Sequence, residues 1–380
     1  MHEAFDFPNT SQWSNIDCGA SAWSLDSSLL RWETDDSYVT TGQKMLVSQS
    51  KEPRAMNTLR FFPQGDESCY LLPGQGESRV LLRAGFYYGN YDGISKPPSF
   101  DLQFDGHQWA TVATSLDEDP IYHEVVYRHK EGNISVCLVR RGDDGGVPFI
   151  SSLEIMPFPA DVYKELDGNM HTAFYLRSRT DFGAIADIRH DGLDEKYNRI
   201  WKAKGMPNYP NASCLPPKAP TADNDPPLSV INTAITASNS SDSLVLLIEL
   251  PPTNETAYII LYFMELVLFP DPINGRKFAI YINGQESNHN IQLKDNSCQV
   301  VSFYTNEFSG PANLTLSPLE GSILPPIINA MEVFTTINLD QESGAPSGNH
   351  FNPFIMSKSQ PSSMLLVPVI FVLGVVASFL

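Results

Sequence analysis

The sequence predicts an all-β fold, two tandem β-sandwich domains packed through a short connector, and three observations carry that reading. Apolar segments are short and end at Pro, Gly, Asn or Asp, as in "ISVCLVR" (134–140), "SLVLLIEL" (243–250) and "CQVVSFYT" (298–305). The 29 Pro and 24 Gly interrupt almost every stretch that could sustain helical periodicity, and short strands with frequent turn signals specify a sandwich or barrel-like fold. The chain also repeats itself. "VPFISSLEIMPF" (147–158) and "LPPIINAMEVFT" (324–335) both run apolar residue, proline, small residues, then an apolar–Glu–apolar triplet, with Phe149 aligned to Ile327 at an offset of 178.

The elements follow in order. In the first module, residues 12–160, "LLRAGFYYGN" (81–90) reads as a strand. In "PSFDLQFDGHQW" (98–109), Phe100, Leu102 and Phe104 alternate with polar residues up to Asp105-Gly106. Alternation into Asp-Gly marks a strand entering a tight hairpin, because both turn residues need positive φ. Residues 156–171, neither Gly/Ser-rich nor low in complexity, form the connector. In the second module, residues 171–338, "IILYFMELVL" (259–268) matches 81–90, with Leu82 on Ile260. "RKFAIYINGQES" (276–287) matches 98–109, with Phe100 on Phe278. The run 257–269 is too short for a membrane span, carries Glu265 and stops at Pro270, so it reads as a buried central strand. Phe100 and Phe278, like Leu153 and Met331, are expected on equivalent strands facing equivalent cores.

A polar spacer, 339–363, leads to an uncharged apolar tail, 364–380. Two readings of the tail stand: a lipid-anchor signal removed on GPI attachment, or a transmembrane helix at the short edge of a span. The residues beginning "MHEAFDFPNTSQW" lack the basic and apolar regions of a signal peptide, so an export leader is expected upstream of them.

Composition narrows the function. Forty-four acidic against 25 basic residues leave a formal charge of −19, which excludes nucleic acid as a partner because no basic stripe neutralises phosphates. Asn-X-Ser/Thr sequons at Asn9, Asn133, Asn211, Asn239, Asn254 and Asn313 point to a glycosylated surface outside the cell. The five Cys (18, 69, 137, 214, 298) match no zinc spacing. Disulfides fit that compartment, the connectivity stays open, and an odd count leaves at least one thiol unpaired.

No catalytic, cofactor or metal motif is expected. "HEVVY" (123–127) has Tyr127 where a zinc-binding HExxH needs His, and it alternates like a strand. His107 and His129 read as exposed turn or strand-end residues. "RRGDDGG" (140–146) and Asp35–Asp36 read as solvated turns rather than carboxylate sites. The stretch with binding-site chemistry is "GFYYGNYDG" (85–93), where Tyr87, Tyr88, Asn90, Tyr91 and Asp92 lie in a Gly-punctuated loop after a strand. Aromatic faces stack on sugar rings while amide and carboxylate bond hydroxyls, and the same groups serve protein recognition. The competing reading packs these tyrosines into the sandwich with Asn-Tyr-Asp-Gly as its turn.

At these residues a family resemblance emerges. "IDCGAS" (16–21), "RFFPQGDESCYLLP" (60–73), "LLRAGFYYGNYDG" (81–93), "PSFDLQFDGHQWATV" (98–112) and "PFISSLEIMPF" (148–158) resemble the malectin-like ectodomain of plant receptor-like kinases. The second half agrees through "RTDFGAIADIRHDGLDEKYNRIW" (179–201), "YFMEL" (262–266), "RKFAIYING" (276–284) and "LPPIINAMEVF" (324–334). The resemblance covers about residues 12–338 and implies tandem non-catalytic malectin-like sandwiches at the cell surface, without leucine-rich repeats or kinase. It implies a carbohydrate or secreted peptide ligand, with a receptor-like kinase as co-receptor and the membrane reached through the tail. A purely glycan-binding, lectin-like wall module is the alternative. Tyr87 and Tyr88 lie near the family's aromatic sugar position, whereas its acidic partner has no counterpart here.

Overall fold

The computed structural model describes residues 14–340, apart from 75, 117–118, 170, 190–193, 215–219, 253–254, 268–274, 294–296 and 309. The first half forms β1 (Ser14–Asp17), β2 (Ser24–Leu25), β3 (Arg31–Thr34), β4 (Gln43–Leu46), β5 (Thr58–Phe61) and β6 (Glu67–Pro73). It continues with β7 (Ser78–Phe86), β8 (Ser99–Phe104), β9 (His107–Ala113), β10 (Ile121–His129), β11 (Asn133–Arg140), β12 (Phe149–Ile150) and β13 (Ser152–Phe158). The second half forms β14 (Thr172–Phe182), β15 (Lys202–Lys204), β16 (Asn211–Ser213), β17 (Thr233–Thr236), β18 (Leu244–Ile248) and β19 (Glu255–Met264). It ends with β20 (Lys277–Ile282), β21 (Gln285–Gln292), β22 (Cys298–Phe308), β23 (Ala312–Pro318), β24 (Ile327–Ile328) and β25 (Ala330–Asn338).

The sheets display the internal repeat directly. Four-stranded sheets of order β6-β11-β8-β9 and β18-β23-β20-β21 correspond strand for strand, as do the three-stranded sheets β12-β5-β4 and β24-β17-β16. The largest sheet contains one five-strand run twice, β3-β1-β13-β7-β10 and then β15-β14-β25-β19-β22. Phe100 and Phe278 sit on the equivalent strands β8 and β20, Leu153 and Met331 on β13 and β25, all four buried. Strand β19 lies between β22 and β25 with Ala257 to Met264 buried, the central strand expected of run 257–269.

One alignment needs correcting. Ile155 pairs with Leu82 on β7, and its counterpart Val333 pairs with Ile259 on β19. Leu82 therefore corresponds to Ile259, not Ile260. A one-residue slip puts a side chain on the opposite face of a sheet.

The two halves are joined by the sheet itself. Strand β10 pairs antiparallel with β14, Val125 opposite Tyr175 and Val126 opposite Phe174, a junction that the sequence did not disclose. The connector reinforces it. Val162, Tyr163 and Leu166 are buried in the same cluster as Tyr258 and Phe334 of the second half, and Tyr163 OH donates to Glu332 Oε1 at 2.8 Å.

The first strand of each half is followed by one tightly packed glycine. Cys18 N donates to Ser151 O and Phe182 N to Asn329 O, both at 2.9 Å. Beyond them Gly19 (φ +83°) and Gly183 (φ +82°) press against backbone, where an added Cβ would lie 2.1 Å from Leu59 O and 2.2 Å from Ala234 O. Only glycine fits such positions.

Cys69 and Cys137, directly opposite on β6 and β11, form a disulfide, while Cys18, Cys214 and Cys298 are buried free thiols. Two sequence expectations fail for one reason. Asp35 is fully buried because Arg60 clamps it with two hydrogen bonds of 2.6 and 2.8 Å, and only Asp36 of that pair is exposed. His129 is likewise buried, its Nε2 3.2 Å from Gly132 O. Paired polar groups enter cores that periodicity alone assigns to apolar residues.

Candidate functional site

Strand β7 runs on into the 85–93 loop, so Tyr87 and Tyr88 inherit core-facing positions; they are 5% and 1% exposed. Tyr91 is half-buried against Phe61 and Phe149, with ring centroids 5.4 and 5.6 Å away, and the Tyr88 ring lies near-perpendicular to it at 5.6 Å. Asn90 takes a left-handed φ of 49°. Its carbonyl accepts from Gly93 N at 3.1 Å, and its side-chain oxygen accepts from Ser95 N at 2.9 Å. Asp92 Oδ1 accepts from Tyr88 OH at 2.5 Å and from Ile94 N at 3.0 Å. Burial, then the Asp92 contact, push the Tyr88 hydroxyl up to about 12.

The five residues thus come together, but not as a row of open rings. Tyr87 and Tyr88 line the core, Asn90 and Asp92 brace the turn, and the solvent meets Asp92, part of Asn90 and part of Tyr91. An exposed aromatic that the sequence reading passed over is Trp23, 59% exposed with the Arg31 guanidinium 5.3 Å from its ring.

The junction between the halves carries a buried charge network. Glu124, the acid within "HEVVY", accepts from Arg83 at 2.8 and 3.0 Å and from Arg179 at 2.7 Å. It thereby ties β7 of the first half to β14 of the second. Arg83 also reaches Glu154 at 3.0 Å, and Arg179 reaches Glu332 at 2.5 Å. Burial would raise the Glu124 carboxyl, but Arg179 and Arg83 outweigh it and hold it below the usual carboxylate range. Glu154 and Glu332 are the glutamates of the two repeated triplets. A charged residue conserved in kind between two internal copies, in otherwise apolar strands, was the available signal.

A second repeated device lies at the ends of β1 and β14. Thr58 Oγ1 donates to buried Asp17, and Thr233 Oγ1 donates to buried Asp181 at 2.7 Å. Desolvation pushes these carboxyls up from 3.8, Asp17 to about 6 and Asp181 to about 7. In the same way Trp32 Nε1 donates to Asp26 at 3.0 Å and Trp201 Nε1 to Glu195 at 2.9 Å.

The sequons Asn133, Asn211, Asn239 and Asn313 are all exposed; Asn9 and Asn254 lie outside the described residues. So does the tail 364–380. Among the described residues no helix is long and apolar enough to cross a membrane.

Comparison with known proteins supplies the context. The family described as the malectin-like domain matches residues 16–336. The uncharacterized protein At1g24485 of Arabidopsis thaliana is 32% identical over 347 residues, covering 89% of this chain and 66% of that protein. The probable LRR receptor-like serine/threonine-protein kinase At1g05700 of the same plant is also 32% identical, covering 86% of this chain but 38% of the kinase. The chain therefore spans at most about two thirds of these relatives. Among solved structures, the Arabidopsis thaliana ANX2 ectodomain superposes with a TM-score of 0.74 at 17% identity, over 86% of this chain and 97% of that one. A structure of the plant peptide RALF23 in complex with FER and LLG2 gives 0.72 at 18% identity, over 87% and 96%.

Proposed function

The chain belongs to the malectin-like family, and from that premise we propose that it is a non-catalytic recognition protein on the extracellular side of the plasma membrane. Its ligand is a secreted peptide or a receptor partner, a receptor-like kinase acting as co-receptor. The two modules, 12–160 and 171–338, form its rigid head, and the tail 364–380 anchors it.

One observation carries the preference for a peptide or protein over a sugar. The rings of Tyr87 and Tyr88 are buried and Tyr91 is half-buried against Phe61 and Phe149, so the 85–93 loop offers no row of open aromatic faces for a sugar ring to stack on. What it offers is a braced turn presenting Asp92 and part of Tyr91, which suits a broad protein contact. The solved complex of a related fold with a peptide supports the same preference. A wall-glycan reading keeps one supporting feature, the open ring of Trp23 beside Arg31.

The test is a glycan array run beside affinity capture from extracellular fluid, using the intact chain and its Asp92→Ala variant. The proposal expects capture of a secreted peptide or receptor that excess oligosaccharide does not displace and that the variant weakens. Specific glycan binding without such a partner overturns it in favour of the lectin reading.

A further inference from the structure

Internal repetition places two equivalent sheet edges in one molecule and fills only one of them. Strand β10 flanks β7 as β22 flanks β19. Leu82 pairs with Val125, and Ile259, its counterpart, pairs with Phe303. Val125 and Val126 therefore correspond to Phe303 and Tyr304. The first pair receives β14 and is fully buried. Among the described residues nothing pairs with the outer edge of β22, and Tyr304 is 43% exposed with Phe303 half-buried.

The direction of the free groups follows from the ladder. Asn329 N donates to Tyr262 O at 3.1 Å, so Tyr262 turns its backbone toward β25. Backbone direction alternates along a strand, which turns Leu261 and Ile259 toward β22. Their partners Val301 and Phe303 face inward, and Val300, Ser302 and Tyr304 point N–H and C=O outward. Val126, the counterpart of Tyr304, faces β14 by the same rule.

Edges of this kind are normally blunted by charge, proline, brevity or cover. Strand β2 is two residues long, and β21 reads "QESNHNIQ". On β18 the edge is sealed by Tyr209, whose hydroxyl accepts from Val245 N at 2.8 Å and lies 3.2 Å from Val245 O as donor. Among the described residues, strand β22 has none of these protections across "QVVSFYT" (299–305). A pocket of about 340 Å³ lined by Thr221, Ala222, Asp223, Cys298 and Val300 opens beside its start.

We propose that the outer edge of β22 is a strand-addition site that takes an extended, uncharged peptide segment of a partner protein, antiparallel, as the equivalent edge takes β14. Main-chain hydrogen bonds supply the affinity in this mode, and alternate side chains supply the selectivity. The register places an apolar partner residue opposite Tyr304, as Phe174 lies opposite Val126. This names a mode for the recognition function proposed above and rests on it.

The probe is a synthetic, end-capped copy of the chain's own β14 segment, residues 171–178, carrying Arg177→Gln so that it is uncharged at pH 8, added to the intact chain while amide hydrogen exchange is followed residue by residue. The expected result is at least about tenfold slower exchange at Val300, Ser302 and Tyr304, with Val301 and Phe303 unchanged because they are already bonded inward. A peptide N-methylated at Phe174 should give no protection. Ser302→Pro, which removes one outward N–H, should abolish the effect at an unchanged melting temperature. Unchanged exchange up to the peptide's solubility limit overturns the site, and so does uniform rather than alternating protection. Outer amides already protected without peptide also overturn it, because a second copy or another segment of this chain would then hold the edge. None of these failures bears on capture of a partner through the 85–93 loop, so the two proposals fail separately.

Discussion

Replacing Asp17 and Asp181 together by asparagine should remove most of the stability that this protein gains on acidification. Both carboxyls have folded values above their ordinary 3.8, at about 6 and about 7, because desolvation favours the neutral acid. The folded state therefore binds the proton more tightly. That stability is fully present below 3.8 and is lost as pH rises through 6 to 7. Integrating the linkage between pH 5 and pH 8 gives about 1.4 kcal/mol for Asp17 and about 2.6 kcal/mol for Asp181, about 4 kcal/mol in all. Asparagine keeps an acceptor for Thr58 and Thr233 without the titration. Urea denaturation at pH 5 and pH 8 should show the unmodified chain losing about 4 kcal/mol more than the double variant, with each single variant in between. Other titrating groups cancel in that difference. Equal pH dependence in the two proteins would refute the reasoning.

Glu124→Gln leaves Arg83 and Arg179 short of a buried counter-charge, so its urea midpoint should fall by the equivalent of about 3–5 kcal/mol, whereas Lys202→Ala, which removes only an exposed pair with Asp187, should shift the midpoint by less than about 1 kcal/mol. Enzymatic removal of N-glycans from the secreted protein should lower its mass, with peptide mapping assigning the sugars among Asn9, Asn133, Asn211, Asn239, Asn254 and Asn313; unmodified asparagines at all six would remove glycosylation from the account. If 364–380 is a lipid-anchor signal, phosphatidylinositol-specific phospholipase C should release the protein from membranes. Retention, with peptides from 364–380 in the mature protein, would establish the helix instead.

Much of the architecture was legible because strand periodicity and turn chemistry are local. Alternation at Phe100, Leu102 and Phe104 and its echo at Phe278, Ile280 and Ile282 reported both the strand type and the repeat. What stayed hidden depends on partners distant in sequence. The pairing of Val126 with Phe174 has no signature in either segment, and burial of Asp35 needs Arg60, 25 residues on. Glu154 and Glu332 stood out as a repeated charge, yet their arginines lie on other strands. The 85–93 loop was found as a cluster, but its exposure was not readable. Strand β7 carries Tyr87 and Tyr88 into the core, and Tyr88 spends its hydroxyl on Asp92.

The central claim is recognition without turnover, and a calorimetric titration tests it most directly. The intact chain and its Asp92→Ala variant are titrated with the partner recovered from extracellular fluid, with and without excess wall oligosaccharide, and the ligand is then checked for chemical change. The account predicts saturable binding that oligosaccharide leaves unaffected, an affinity at least about tenfold weaker in the variant, and a ligand recovered intact. Full competition by oligosaccharide, or a ligand recovered cleaved or modified, would contradict it.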